Sequence, residues 1–389
     1  MAITAAHVAR AARIRLGMVG GGRGAFIGAV HRIAARLDDQ YELVAGSFSS
    51  DPDRAAASAA DLGVARSYAS FADMAAKEAR RKDGIEAVAI VTPNHMHAPV
   101  ALQFLKRGIH VICDKPLTHN LAEAKKLAKA ASDSGVIFAL THNYTGYPMV
   151  RQAQAMVAAG ELGDIRLVQV EYAQDWLAEP IEQTGQKQAD WRTDPARSGA
   201  GGATGDIGTH AFNLANFVTG LTLDSLSADL QSFVAGRRVD DNAHVMLRYQ
   251  GGARGMLWCS QVAAGLENGL RLRVFGTKAG LSWEQENPNY LQVTPLGAPQ
   301  YRLSRGGAGT GEAAARMTRI PSGHPEGYLE GFANIYAEVA RAIIARRTGA
   351  AMDSATIFPS LREGLEGVAF VDACLRSSAK NAAWVKLAL

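Results

Sequence analysis

Short apolar runs alternate with longer alanine-rich stretches in the first third of the chain. Continuous apolar runs predict buried strands, and the longer stretches predict helices that pack against them. The predicted strands cover residues 15–19, 41–48, 87–92, 110–113 and 136–140. The predicted helices cover residues 25–37, a segment after Pro52, residues 98–107 and a segment from Asn120 to Ser132. This alternation predicts a doubly wound sheet of parallel strands.

The pattern changes near residue 141. A helix is predicted over residues 148–159, and alternating strands over residues 165–172, 243–249, 253–260 and 270–275. Alternation of apolar and polar residues predicts an antiparallel sheet with one covered face. Helices over residues 327–345 and 361–377 complete this part, and the glycine-rich residues 305–311 predict a mobile loop. We therefore expect an α/β domain over residues 1–142 and an α+β domain, with a large and mainly antiparallel open sheet, over residues 143–389.

Composition agrees with a globular chain of this size. The 389 residues suit two domains, and 48% hydrophobic and 20% charged residues exclude disorder as the general state. The net charge is only +4, and the basic residues are scattered along the chain. Neither nucleic acid nor a membrane surface is therefore an expected partner.

The cysteines and the amino terminus indicate the compartment. Cys113, Cys259 and Cys374 fit neither a disulfide framework nor a zinc pattern, which favours a reducing environment. His7 and Arg10 fall where a signal peptide needs an apolar core, and no membrane span is evident. The expected location is the cytoplasm.

A glycine-rich turn joins the first predicted strand to the first predicted helix. Its sequence is Gly20-Gly21-Gly22-Arg23-Gly24-Ala25. In a G-x-G-x-x-A pattern, Gly20 allows the tight turn, Gly22 lets the backbone approach a pyrophosphate, and Ala25 permits close packing of helix on strand. The amides at the start of the helix then face the phosphates. The turn predicts a Rossmann-type dinucleotide site, with a turn that binds no ligand as the alternative.

The end of the second predicted strand bears on the choice of cofactor. An acidic residue usually binds the ribose 2′-hydroxyl of NAD at this place, but here the strand ends in Phe48-Ser49-Ser50-Asp51. Ser49, Ser50 and Arg54 suit a 2′-phosphate, because a guanidinium binds that group well. Asp51 is interpreted as a helix cap before Pro52 in preference to a ribose ligand. We expect NAD, with NADP as the open alternative.

Two further segments carry candidate catalytic groups. Lys115, in Asp114-Lys115-Pro116, follows a parallel strand at the edge where such sheets bind ligands, and its ammonium can reach a substrate oxygen. A solvent-facing lysine is the alternative. Asp206 and His210 are four residues apart, on one face if a helix begins there, so that the carboxylate could orient an imidazole that moves a proton. A capping Asp and a structural His are the alternative.

Taken together, the motifs resemble those of the glucose–fructose oxidoreductase / inositol dehydrogenase (Gfo/Idh/MocA) family. The motifs, in chain order, are the glycine turn, Thr92-Pro93-Asn94-His95-Met96-His97, Asp114-Lys115-Pro116 and Gly205-Asp206 followed by His210. The resemblance covers nearly the whole chain. Two departures are Asp114, where the family usually has Glu, and the missing acid after the second strand.

The resemblance implies an NAD(P)-dependent dehydrogenase that acts on a CH–OH group of a sugar or cyclic polyol. It implies that Lys115 polarises the substrate oxygen, that His210 is the general acid/base, and that Asp206 assists His210. It also implies that the segment of Thr92, Pro93, Asn94 and His97 lines the cofactor. With the groups derived above from the residues themselves, the predicted cofactor site comprises Gly20, Gly22, Arg23, Gly24, Ala25, Ser49, Ser50, Arg54, Thr92, Pro93, Asn94, His97, Asp114 and Lys115. His95 and His97 lack a third ligand at a suitable spacing, so no metal is expected.

Polar and aromatic residues at the start of the second part suit a carbohydrate. The candidate substrate residues are Asn143, Tyr144, Tyr147, Gln174, Asp175, Trp176, Trp191 and Arg192, together with Asp206 and His210. Aromatic faces match the C–H surface of a sugar, and amide, carboxylate and guanidinium groups bind its hydroxyls. The two tryptophans could alternatively be core or interface anchors.

Other functions remain open at this point. A nucleotide-binding sensor without turnover is one alternative, but Lys115, Asp206 and His210 together argue against it. An NAD-dependent glycosidase, or an enzyme that oxidises a ring hydroxyl of a glycoside to a ketone, would use the same fold with a recycled cofactor. The resemblance further implies a homo-oligomer, a dimer or tetramer, through an exposed face of the second sheet.

Overall fold

The computed structural model describes residues 12–389. The prediction that no cleavable signal is present falls mainly on residues 1–11, outside the described residues. Within the described residues there are two sheets, one of six strands and one of nine. This confirms the predicted change of pattern along the chain.

The first sheet is entirely parallel, as predicted. Its strands are β1 (Ile14–Gly20), β2 (Tyr41–Ser47), β3 (Arg66–Ser67), β4 (Ala87–Val91), β5 (His110–Cys113) and β6 (Phe138–Leu140). The strand order is β3-β2-β1-β4-β5-β6. The order reverses between β1 and β4, and ligands bind to sheets of this type at that reversal, beyond the carboxyl ends of the strands.

Helices cover both faces of this sheet. They are α1 (Phe26–Leu37), α2 (Pro52–Asp61), α3 (Phe71–Glu78), α4 (His97–Leu105) and α5 (Leu121–Ser134). Asp51, Ser70 and Asn120 cap the amino termini of α2, α3 and α5 by accepting backbone N–H bonds. Each such cap stabilises its helix by about 1 kcal/mol. The capping role interpreted for Asp51 is therefore confirmed.

The second sheet is mixed and mainly antiparallel. Its strands are β7 (Ile165–Ala173), β8 (Leu223–Gln231), β9 (Asn242–Tyr249), β10 (Arg254–Ser260), β11 (Gly269–Gly276), β12 (Ala279–Glu284), β13 (Tyr290–Pro295), β14 (Tyr301–Ser304) and β15 (Val385–Lys386). The order is β14-β13-β12-β11-β7-β10-β9-β8-β15, and only β7 with β10 is a parallel pair among these described strands. In β9 buried and exposed residues alternate, so one face is covered and the other open.

Seven helices follow in the second half of the described residues. They are α6 (Pro148–Ala158), α7 (Lys187–Arg192), α8 (Pro195–Ser198), α9 (Thr209–Thr219), α10 (Glu312–Ala315), α11 (Tyr328–Thr348) and α12 (Leu361–Ser378). Residues of α6, α9 and α12 share one hydrophobic core with β7–β13. No helix of the described residues is long and apolar enough to cross a membrane.

Helix α11 packs on the first sheet although it comes late in the chain. Phe332 and Ile335 lie in the same hydrophobic core as Leu16 of β1. The hydroxyl of Tyr336 lies 2.8 Å from Nδ1 of His31 in α1. The assignment of residues 143–389 to a separate domain stays a prediction, but α11 completes the core of the first sheet.

The glycine-rich segment of residues 305–311 begins with a buried arginine, and most of its other residues are exposed, so the mobile loop stays a prediction. The side chain of Arg305 is almost fully buried, and its Nη1 lies 2.9 Å from Oε1 of Glu326. Arg305 also donates to the carbonyl oxygens of Ile320 and Pro321. Sequence pattern indicated only the turn-forming glycines and not the buried acceptor that fixes the arginine.

Candidate active site

The glycine turn after β1 has a backbone that side chains would obstruct. Gly20 has φ +81°, and a Cβ added there would lie 2.7 Å from the carbonyl oxygen of Val91. A Cβ on Gly22 would lie 2.7 Å from Oγ of Ser58. Arg32 fixes the turn, because its Nη1 donates to the carbonyl oxygen of Gly21 at 2.6 Å. The two glycines therefore keep space open at the start of α1.

A cleft of about 600 Å³ runs from this turn across the carboxyl ends of β1, β2 and β4. The predicted cofactor residues that line it are Gly20, Gly22, Arg23, Ala25, Ser49, Ser50, Arg54, Thr92, Pro93, Asn94, Asp114 and Lys115. The size of the cleft and its open glycine turn fit an extended dinucleotide. Gly24 is not part of the lining, although it belongs to the same turn.

His97 was predicted to line the cofactor, and the structure contradicts this. The side chain is fully buried, and its Nδ1 lies 2.7 Å from the carbonyl oxygen of Pro116 and its Nε2 2.9 Å from that of Thr92. Both ring nitrogens are occupied by backbone, and burial lowers the pKa of His97. His97 thus joins the two loops that border the cleft.

The far end of the cleft contains no carboxylate in the position usual for NAD. Oδ1 of Asp51 accepts the backbone N–H of Arg54 at 2.8 Å and is used as a helix cap. Arg23 forms a two-point ion pair with Asp61, with one N···O distance of 2.7 Å. Ser49, Ser50 and Arg54 line this end.

Lys115 and Asp206 meet at the inner end of the cleft. Nζ of Lys115 donates to Oδ1 of Asp206 at 2.7 Å and to its carbonyl oxygen at 2.6 Å. Oδ2 of Asp206 accepts from Gln261 at 2.9 Å and lies 3.4 Å from Nε of Arg192. Burial alone would raise the pKa of Asp206, but Lys115 and Arg192 outweigh it and lower the pKa to about 2. Asp206 is therefore an anion that positions the ammonium of Lys115.

The predicted partnership of Asp206 with His210 is wrong in its geometry. Asp206 lies in a π-helical turn (Thr204–Gly208) that precedes α9, and both of its carboxylate oxygens bind other residues. The ring of His210 contacts His142 instead, with their Nδ1 atoms 3.5 Å apart. The i, i+4 spacing did not show that the wider π turn moves Asp206 away from the face of His210.

Asp114, which stands where the family usually has Glu, precedes Lys115 at the base of the site. Its Oδ1 accepts from Oγ1 of Thr141 at 2.8 Å and lies 3.8 Å from Nε2 of His31. Burial would raise the pKa of Asp114, but His31 and Lys115 keep it well below its usual range. The shorter aspartate thus stays anionic at the base of the site.

A second cavity of about 350 Å³ adjoins the first. The predicted substrate residues that line it are Asn143, Tyr144, Gln174, Trp176, Arg192, Asp206 and His210. Lys115, Asp114, Arg192 and Asp206 line both cavities. The ammonium–carboxylate pair therefore lies where the two cavities meet.

Three predicted substrate residues do not line this cavity. Tyr147 is buried and packs its ring against Tyr144 and Trp283. Asp175 accepts the backbone N–H of Gly265. Trp191 lines the cofactor cleft, where its ring stacks under the guanidinium of Arg192 at 4.3 Å. These three residues therefore support the surroundings of the second cavity and do not line it.

Several lining residues were missed by sequence reasoning. They are Phe26, Ile27, Thr141, Tyr172, Gln186, Gln188, Ile207, Tyr328 and Phe332, with His142 and Asn268 directly behind the lining. Tyr144, Tyr172 and Asn268 form a hydrogen-bonded chain, and Asn268 also accepts from Gln174 at 2.7 Å. His142 could have been found, because it follows the carboxyl end of β6.

Among residues 12–389, no group of three His, Cys, Asp or Glu residues is arranged to hold a metal ion. Cys113, Cys259 and Cys374 are buried free thiols, and burial raises the pKa of each. The thiols are therefore inert structural residues.

The fold and the site together define an oxidoreductase with a dinucleotide-binding Rossmann domain. Residues 14–142 match the profile of the oxidoreductase family with an NAD-binding Rossmann fold, and residues 150–282 match the GFO/IDH/MocA C-terminal domain. The chain belongs to the Gfo/Idh/MocA family, which confirms the resemblance seen in the motifs.

Relatives match over nearly the whole length of the chain. An uncharacterized oxidoreductase of Bacillus subtilis, YfiI, is 36% identical over 96% of each protein. The crystal structure of an oxidoreductase from Sinorhizobium meliloti is 60% identical, covers 96% of this chain and 99% of that one, and has a TM-score of 0.88. An inositol dehydrogenase homologue from Azotobacter vinelandii, complexed with NADH and myo-inositol, is 37% identical, covers 96% and 97%, and has a TM-score of 0.90.

Proposed function

We propose that this protein is a dehydrogenase that oxidises one CH–OH group of a cyclic polyol or sugar with NAD. The observation that carries the proposal is the junction of the two cavities at Lys115 and Asp206. A nicotinamide bound in the cofactor cleft would supply the hydride acceptor there. The adjoining cavity has space for one sugar-sized ring.

Each catalytic group has a distinct task in this proposal. The ammonium of Lys115 faces the substrate oxygen and stabilises negative charge that develops on it. Asp206 holds that ammonium in place through two hydrogen bonds. His210 takes the hydroxyl proton, and NAD held in the cleft would accept the carbon-bound hydrogen with its electron pair, so that one alcohol would yield one carbonyl. Burial, with Lys115 and His142, lowers the pKa of His210, so the imidazole is neutral near pH 7.

The charges of the second cavity favour a neutral substrate. Lys115 and Arg192 are balanced by Asp114 and Asp206, so no net cation is left for a carboxylate or phosphate. Amide groups of Asn143 and Gln174 offer both donors and acceptors to hydroxyls, and Trp176 offers an apolar face. The relative that binds NADH and myo-inositol supports a substrate of this kind.

The choice between NAD and NADP is part of the same proposal. The relative bound to NADH favours NAD. The site also has Ser49, Ser50 and Arg54 at the expected position of the 2′-substituent and no carboxylate lining it to repel a phosphate. We infer that NAD is the main cofactor and that NADP is accepted.

A screen of inositols and monosaccharides against NAD and NADP tests the proposal through absorbance of the reduced nicotinamide. We expect steady reduction of NAD with at least one neutral cyclic polyol. Binding of the cofactor with no turnover on any substrate would contradict the proposal and favour a sensor. Cleavage of a glycoside without accumulation of NADH would favour the glycosidase alternative.

Self-association through the open face of the second sheet is a further part of the proposal. Leu167, Met246 and Met256 are about half exposed there on neighbouring strands. Contiguous exposed apolar side chains are typical of protein interfaces. Light scattering of the purified protein should show a dimer or tetramer, and Met256→Lys should weaken it; a monomer at all concentrations would contradict this part.

A further inference from the structure

His142 lies directly behind His210 in a rigid segment. It follows β6 and precedes a 3₁₀ helix (Asn143–Gly146), and its side chain is almost fully buried. The carbonyl oxygen of His142 accepts from Oγ1 of Thr145 at 2.9 Å, and the preceding Thr141 donates to Asp114 at 2.8 Å. These bonds tie the backbone around His142 to the base of the active site.

The rings of His142 and His210 meet edge to face. Their centroids are 5.3 Å apart with an interplanar angle of 86°, and the two Nδ1 atoms are 3.5 Å apart. A hydrogen bond between two neutral imidazoles at this contact requires that one Nδ1 donates and the other accepts, because two N–H groups would repel each other. The contact therefore couples the protonation states of both nitrogens in the pair.

The other described neighbours of His210 do not offer a free acceptor for a proton on its Nδ1. Tyr144 packs its ring against the imidazole at 4.9 Å, and Tyr172 at 6.2 Å. The hydroxyls of both tyrosines are used in the chain that leads to Asn268. Within the described contacts of His210, His142 is the group that can accept a proton from its Nδ1.

We propose that His142 is a positioning residue that accepts the Nδ1–H of His210 and thereby keeps Nε2 of His210 free to take the substrate proton. The inference rests on the proposed dehydrogenase function. In oxidation, the O–H proton moves to Nε2 and the Nδ1–H bond stays intact, so His210 becomes an imidazolium whose Nδ1 side is already paired. His142 keeps its own proton on Nε2 throughout.

The charges around the pair agree with a neutral resting state. The charged groups that act on the pair are Lys115 and Asp114, and the rings of Tyr144 and Tyr172 pack against His210. Burial, followed by the charge of Lys115, lowers the pKa of His142 to about 3. His142 therefore remains an acceptor while His210 changes protonation state.

Nitrogen NMR of the full-length protein with ¹⁵N-labelled histidine tests the tautomer without any turnover. We expect His210 to carry its proton on Nδ1, assigned by the signal lost in His210→Gln. In His142→Phe, which keeps a ring but removes the acceptor, the proton of His210 should move to Nε2. A wild-type His210 that already carries its proton on Nε2 overturns the proposal, even if the Phe variant does not fold.

Kinetics with a pair of variants separates positioning from packing. His142→Phe should lower kcat near pH 7 on the order of 10²-fold, with the KM for NAD unchanged. His142→Asn places an amide oxygen near the lost Nδ1 and should recover most of kcat and the wild-type pH profile. Equal losses in both variants, with unaltered pH profiles, would mean that His142 only fills space and would overturn the proposal.

The two experiments also separate this inference from the proposed function. If His210 has the Nδ1–H tautomer and loses it in His142→Phe, but no polyol is oxidised, the proposed function fails and the coupling of the imidazoles stands. If polyols are oxidised but the tautomer does not depend on residue 142, the dehydrogenase stands and the coupling is overturned.

Discussion

The cofactor cleft and the substrate cavity share four charged residues, yet they are built from different parts of the chain. The phosphate end of the cleft is formed by backbone within one turn, residues 20–25, and its shape depends on absent side chains. The substrate cavity instead takes polar side chains from segments more than a hundred residues apart, such as Asn143 and Gln174 with Tyr328. Substitutions should therefore affect the cleft by filling its space, and affect the substrate cavity by removing polar or charged groups.

The contrast extends to how each region is held. In the cleft, Arg32 and Ser58 bind backbone groups of the glycine turn. In the cavity, side chains hold other side chains: Asp206 positions Lys115, and Asn268 positions Gln174. A lost group in the cavity leaves a buried partner without its bond, which costs about 1–3 kcal/mol, and more for a charge.

The largest expected effect is that of Lys115→Ala, at the junction of the two regions. Removing the ammonium should lower kcat about 10²–10³-fold, because charge that develops on the substrate oxygen loses its donor. The Kd for NAD should change little, since the glycine turn is intact. Stopped-flow reduction and fluorescence titration measure the two quantities. Lys129→Ala, an exposed lysine paired with Asp133, is the control; equal losses of kcat and affinity would mean that Lys115 mainly supports the cofactor.

Gly22→Ala tests whether cofactor binding depends on the space that the glycine turn leaves open. The added Cβ would lie 2.7 Å from Oγ of Ser58 and 2.8 Å from the carbonyl oxygen of Phe48. Overpacking of this kind costs about 2 kcal/mol, so the Kd for NAD should rise about 30-fold. Calorimetric titration measures it. Gly327→Ala, where a Cβ meets nothing within 4 Å, should bind NAD as the wild type does; normal binding by Gly22→Ala would contradict the proposed path of the pyrophosphate.

The buried imidazoles of the cavity predict a loss of stability in acid. His142 titrates near 6.5 when unfolded, and its pKa in the folded protein is about 3. Between these values the unfolded chain binds more protons, so the free energy of unfolding falls as the pH falls below 6.5, and His142 contributes about 2 kcal/mol of that loss at pH 5. Urea unfolding at pH 7 and pH 5 should show a smaller loss for His142→Asn than for wild type. His244→Asn, in β9 on the open sheet face, is the control for the substitution itself, and equal losses in wild type and His142→Asn would exclude a buried neutral His142.

The same contrast explains which features were predictable from sequence. The glycine turn, the βαβ pattern and Lys115 after β5 depend on residues close together in sequence, and those predictions of fold and location are confirmed. The predicted contact between Asp206 and His210 is wrong, because the π turn changes the angle between residues four apart in sequence. Asn268 was missed because its role exists only after folding brings it next to Tyr172 and Gln174. The position of His142 after β6 was visible in the sequence, but its contact with His210 was not.

The smallest expected effect concerns the outer end of the cleft. Arg54→Ala should raise the KM for NADP about tenfold, because a charge-assisted hydrogen bond to a phosphate contributes about 1.5–3 kcal/mol and this side chain is exposed to solvent. The KM for NAD should stay the same, since NAD lacks the phosphate. Arg80→Ala, exposed at the end of α3 and outside the cleft, should change neither value. If Arg54→Ala weakened the binding of NAD and NADP equally, Arg54 would bind the diphosphate or adenosine that both cofactors share. This end of the cleft would then depend on side-chain charge, as the substrate cavity does.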